Sequence, residues 1–77
     1  TLIDETAPDH ETLDLVERGL ASLPPVEREI LTLFYLQELP IAEIAEALSI
    51  APGTVKSRLH RARHALRDTL KKEGELR

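Results

Sequence analysis

The sequence has no cysteine, and a single phenylalanine and a single tyrosine are its only aromatic residues. Without thiols it forms no disulfide and no thiolate metal site, which fits a reducing compartment and a cytoplasmic place of work. With so little aromatic volume the core has to be aliphatic, made of Leu, Ile, Val and Ala. No apolar run approaches a membrane span, and no signal-peptide pattern occurs. The chain begins at Thr1 rather than Met, which suggests a piece of a longer protein. Its 77 residues fit one small domain. A core of that size leaves only a few kcal/mol of stability, so a partner surface is expected to help hold the fold. One further absence is local: between Pro52 and Arg67 there is no Asp or Glu.

That gap belongs to a divided charge. The formal net charge is −4, but from Thr1 to Ala51 eleven acids meet only two bases, Arg18 and Arg28. From Pro52 to Arg77 eight bases meet three acids. A basic end on an acidic body suits a polyanion at one end and is repelled by it at the other, which implies an oriented encounter with nucleic acid.

Turn signals cut the chain into helical pieces. Residues 1–8 read as a frayed leader. Asp9 is a good N-cap, and Leu13, Val16, Leu20 and Leu23 share one face of the helix that follows, weakened slightly by Gly19. Pro24-Pro25 ends it, and Pro25 suits the first turn of a second helix. There Val26, Ile30, Leu33 and Phe34 form the main stripe, with Leu31 and Tyr35 on another side. "QELP" breaks that helix. Pro40 opens a third, with Ile41, Ile44, Ala45 and Leu48 at i, i+3, i+4 and i+7. After "SIAPG" the last helix runs from about Pro52 to about Glu73, followed by Gly74 as a stop signal and the tail 75–77. No segment alternates like a strand. The expected fold is all-α, a small four-helix domain over residues 9–74.

"IAEIAEALSIAPGTVKSRL" carries the functional signal. A short helix, a tight turn and a second helix, with small Ala45 at the crossing and apolar Ile50 in the turn, form the pattern of a helix-turn-helix at 41–61. On a wheel of 100° per residue, Leu59, Ala62, Leu66 and Leu70 fall within about 60° of Val55 and make the core side. Ser57, His60, Arg61 and His64 lie opposite. Lys56 and Arg67 flank them on one side, Thr54 and Arg58 on the other. A merely solvated helix mixes Glu among its Lys and Arg, and this one does not. Lys56 and Arg61 can donate to guanine O6 and N7, and Ser57 and His60 complete the candidate base-reading set. Thr54, Arg58, Arg63, His64 and Arg67 are the candidate phosphate contacts, and Gly53 lets backbone N–H groups approach a phosphate closely.

At these residues, from "LPPVEREIL" through "EIAEAL" to "GTVKSRLHRAR", the chain resembles region four of bacterial RNA polymerase sigma factors of the extracytoplasmic-function group, over roughly Leu20 to Leu70. The resemblance implies a four-helix unit with a helix-turn-helix of the winged-helix-like kind. It implies recognition of the minus-thirty-five promoter element by the last helix, docking on the flap of the polymerase β subunit, and silencing by an anti-sigma factor. By that resemblance Lys56, Ser57, His60 and Arg61 read bases. Leu31, Tyr35 and the face of the first two helices become candidates for polymerase or anti-sigma contact, against core packing as the alternative. The sequence departs from the usual pattern at Leu39-Pro40, where a Ser or Thr cap is common, and at Ser49, where Gly is common. It departs again at Ala51, a poor cap, and at Phe34, where many relatives carry a basic residue whose phosphate contact would be lost.

Two other readings stay open. The DNA-binding output domain of LuxR-type regulators shares "EIA" and "TVK", but "SRLHRAR" favours the sigma reading. A purely protein-binding helical module is opposed by the acid-free face. An enzyme is not expected, because there is no nucleophile–base pairing and no phosphate loop. Neither a cofactor nor a small-molecule ligand is implied. His60 and His64 have an i, i+4 spacing that metals use, but no third ligand is near and arginines surround them, so no metal site is expected. The two histidines are read as DNA-facing or solvated.

Overall fold

The apolar spacing of the sequence is realised as helices in a computed structural model that describes residues 10–74. The leader, the Asp9 cap and the tail 75–77 lie outside the described residues. The elements are α1 (His10–Leu20), α2 (Pro25–Leu31) running on into a π-helical turn (Thr32–Leu36), α3 (Ile41–Leu48) and α4 (Pro52–Lys72). Among the described residues there is no strand, so the domain is all-α and the helix-turn-helix stands there without a wing.

Proline sets two of the starts. Pro25 and Pro52 each sit in the first turn of their helix, where a missing N–H costs no intrahelical bond. Neither Pro24, Pro40 nor Ala51 supplies a side-chain cap; the carbonyls of Pro40 and Ala51 instead accept the first backbone bonds of α3 and α4, from Ile44 and Val55. At the other end Gly74 takes φ +79° and its N–H donates to the Lys71 carbonyl, so glycine stops α4 where a side chain would be strained.

α4 is the axis of the fold. α1, α2 and α3 all pack on it, and Val55, Leu59, Ala62, Leu66 and Leu70, the stripe read from the wheel, are wholly buried. Each Leu or Val so buried contributes about 1.5–3 kcal/mol. Ile30, Leu31, Phe34 and Tyr35 face this stripe from α2 and the π turn, Ile44 and Ala45 from α3, and Leu15, Val16 and Leu23 from the first helix and its turn. Leu13 and Leu20 of the expected first stripe are only partly buried, and Leu15 takes a core place instead.

Three expectations change. Leu31 and Tyr35 are fully buried, so core packing accounts for them and neither is available to a partner. Val26 is 51% exposed. It shares a helix face with Ile30, but in the first turn of α2 the surface opposite is a notch lined by Arg58 and Arg61 rather than the core. The second helix also does not stay α-helical. Thr32 Oγ1 donates to the Arg28 carbonyl at 2.8 Å, a back-bond that loosens the ladder of α2. The Gln37 N–H then donates to the Thr32 carbonyl at 2.9 Å, five residues back, which is the bond of a π turn. The wider turn brings the neighbours Phe34 and Tyr35 both inward, their rings edge to face at 4.8 Å.

Gly19 does more than weaken α1. A Cβ built there would collide with Cδ1 of Leu66, so the missing side chain sets how closely α1 approaches α4. Gly19→Ala should gain helix propensity yet lose stability, by about 1 kcal/mol net, because Leu66 is fully buried and has little room to yield. Urea unfolding checks this; a raised midpoint would mean that Leu66 gives way freely.

Candidate nucleic-acid interface

The turn between α3 and α4 positions the outer face. Ser49 adopts φ 57°, ψ 44°, the left-handed conformation that glycine usually supplies. Its N–H donates to the Glu46 carbonyl at 3.3 Å, and the Ile50 N–H donates to the Ala45 carbonyl at 3.0 Å. Together these are the two reversed bonds of a Schellman closure, which satisfy carbonyls that the end of α3 would leave open. The closure explains Ile50: the residue after the left-handed position turns back on the helix, and Ile50 packs against the core. Ala51 and Pro52 then start α4 immediately, so the two helices are joined by three residues with little freedom.

Opposite the buried stripe, Gly53, Lys56, Ser57, His60, Arg61, His64 and Arg67 are all exposed, and Thr54 and Arg58 are partly buried at the margins. All four candidate base readers therefore stand on one solvent-facing surface. His60 and His64 touch edge to face, their ring centroids 4.5 Å apart. Among the described residues no group of three or more His, Asp or Glu side chains is placed to hold a metal.

Arg63 is placed differently from the other candidates. Its Nε donates to the Tyr35 hydroxyl at 3.1 Å, and its guanidinium carbon lies 6.0 Å from the centre of the Phe34 ring. Nη2 is buried and finds no acceptor. The side chain is thus turned inward over the π turn, within cation–π reach of one aromatic and bonded to the next, rather than outward with Arg58 and Arg61. Phe34, expected as the loss of a phosphate contact, is the ring on which this arginine rests.

Arg58 and Arg61 line a notch of about 240 Å³ with Val26 and Glu27 from the first turn of α2. The interface candidates therefore extend beyond α4 to a residue of the second helix, Glu27, that periodicity did not single out. Its place there follows from how α2 crosses α4.

The family described as Sigma-70, region 4 matches residues 13–66. The chain is 41% identical over 61 residues to the ECF RNA polymerase sigma factor SigW of Bacillus subtilis, covering 79% of this chain and 33% of that protein. It is 41% identical over 78 aligned positions to the ECF RNA polymerase sigma factor SigL of Mycobacterium tuberculosis, covering 96% and 44%. It is 42% identical over 59 residues to the ECF RNA polymerase sigma factor SigE of Mycolicibacterium smegmatis, covering 77% and 23%. The chain thus spans less than half the length of these curated relatives.

The inward arginine predicts a split between stability and binding. Tyr35→Phe removes the acceptor of a part-buried N–H and should lower the unfolding free energy by about 1–3 kcal/mol in urea titration. Arg63→Ala should also destabilise while leaving the salt dependence of DNA affinity unchanged. A salt slope lowered by about one would instead identify Arg63 as a phosphate contact.

Proposed function

We propose that this chain, which belongs to the sigma-70 region 4 family, reads the minus-thirty-five element of a promoter through the outer face of α4 and so directs RNA polymerase to initiate transcription. One observation carries the reading. α4 has no acid between Pro52 and Arg67, its apolar stripe is wholly buried, and Lys56, Ser57, His60 and Arg61 all emerge on the opposite side. A helix with that division enters a major groove with its donors toward base edges and its flanking cations toward phosphates. Lys56, Ser57, His60 and Arg61 are the base-reading set. Gly53, Thr54, Arg58, His64 and Arg67 hold the backbone, and the inward turn of Arg63 speaks against counting it among them.

The family and the relatives' printed names support RNA polymerase as a partner, and the finer partners are those the resemblance implies. The domain docks on the polymerase core at the β-subunit flap and is a target for an anti-sigma factor. The acidic residues of α1 to α3 keep that body away from DNA. Leu36, exposed at the end of the π turn, is an apolar side chain open to a protein partner. Among the described residues no helix is long and apolar enough to cross a membrane. A promoter-reading domain works in the bacterial cytoplasm, at the nucleoid. Melting of the promoter belongs to another region of a sigma factor. Linkage to that region and to polymerase raises the effective concentration of this module at its site.

Fluorescence anisotropy on short duplexes carrying varied minus-thirty-five-like elements, at two salt concentrations, tests the proposal. Selective binding is expected, with Arg61→Ala losing about 1–3 kcal/mol and relaxing selectivity at one base pair. Lys56→Ala should weaken binding as well. Binding indifferent to both substitutions, or none at low salt, would leave this face without a DNA-reading role.

A further inference from the structure

α4 contributes no acid to its outer face between Pro52 and Arg67, yet α2 delivers one there. Glu27 is partly buried in the first turn of α2, across the notch from Arg58 and Arg61. The fourth lining residue is Val26, so Glu27 is the one hydrogen-bond-accepting side chain in the notch. Glu27 forms no ion pair with either Arg58 or Arg61.

A carboxylate beside phosphate-binding cations opposes a polyanion and costs affinity for every duplex. The same carboxylate has a second effect on its neighbours. A guanidinium carries five N–H donors in a fixed plane, so a carboxylate that accepts from one edge leaves the other edge aimed and rigid. A guanidinium held in this way meets guanine O6 and N7 with both donors at once.

We propose that Glu27 is a specificity-determining residue of the DNA-reading face. Its carboxylate engages the guanidinium groups of Arg58 and Arg61 when Arg61 is seated on its guanine, and its charge weakens every complex in which Arg61 is not so seated. Specificity is a difference of affinities, and a repulsive element raises it by penalising the wrong partner more than the right one. On a cognate duplex the two arginines neutralise Glu27. On any other duplex Arg58 and Arg61 turn to phosphates, and Glu27 is left as an unpaired negative charge close to the DNA backbone. This inference rests on the reading of α4 as a promoter-reading helix.

The test uses the 77-residue chain. A duplex pool with a randomised centre is selected on the wild-type protein, and affinity is measured by anisotropy at one fixed salt for the selected duplex and for a scrambled duplex of the same composition. Glu27→Gln keeps the shape of the side chain and removes its charge, and a circular dichroism spectrum matching the wild type is the check that it folds. Relative to wild type, Glu27→Gln should bind the scrambled duplex about two- to fivefold more tightly. The selected-to-scrambled ratio should fall by about fivefold or more. In an Arg61→Ala background the same substitution should leave the ratio unchanged. If Glu27→Gln raises both affinities equally in the wild-type background, Glu27 is a repulsive charge only and the inference is overturned. A wild-type chain that selects no sequence overturns the promoter-reading proposal itself, so the two failures are distinguishable.

Discussion

Everything in this domain depends on burying one side of α4. A helix of 21 residues cannot be held by propensity alone; its stability comes from packing an apolar stripe. Here that stripe is the shared surface on which α1, α2 and α3 all rest. The consequence for function is geometric. Once the stripe is enclosed, the opposite side is forced outward, and its residues are held at fixed angles by the same contacts that hold the core. Reading DNA with such a face needs no mobile part, because the scaffold and the reading head are two sides of one helix.

Two local devices fix how that helix sits. The Schellman closure at Ser49 and Ile50 sets the exit from α3 and places an apolar residue in the turn, so the angle between the two helices is tied to the core. The π turn acts from the other flank. By widening the end of the second helix it brings Phe34 and Tyr35 inward together, and Arg63 spans from α4 to both. A cation committed in this way to an aromatic pair holds α4 in register against the second helix. Ser22 adds a tie at the far end, its hydroxyl donating to the Glu73 carboxylate at 2.9 Å.

Charge completes the orientation. Acids gather on the elements that carry α4, and bases on the side of α4 they leave uncovered. A polyanion approaching the molecule is repelled from the body and drawn to one face, so long-range electrostatics select the same orientation that close contacts require. Bases outnumber acids only in the last third of the chain. A small basic face on an acidic body suits a module that works as part of a larger assembly.

Much of this was legible without coordinates, because a helix repeats every 3.6 residues and the repeat survives in one dimension. The buried stripe of α4, the exposure of the four base-reading candidates, the opening of α3 at Pro40 and the stop at Gly74 all follow from spacing and backbone chemistry, whereas the first helix ends at Leu20, short of the expected stop at Pro24-Pro25. Arg63 was not legible: it was grouped with Arg58 as a phosphate contact, and its turn onto the Tyr35 hydroxyl is a contact between residues 28 apart that the wheel does not carry. What spacing does not carry is where a helix stops having neighbours, or how two helices meet. Val26 continues the stripe of its helix but runs past the end of the core. Leu31 and Tyr35 read either as a second buried flank or as a partner surface, and only the packed structure, which buries both fully, decides between the two. Gly19 reads as a weak point in a helix until Leu66 is seen against it, and Glu27 reads as an ordinary first-turn acid until α2 is laid across α4. The sequence by itself determined the elements, their buried faces and the separation of charge, since each depends on residues close in the chain. The tertiary structure decided which arginines face outward and which acid joins them, because those placements depend on contacts between residues far apart in sequence.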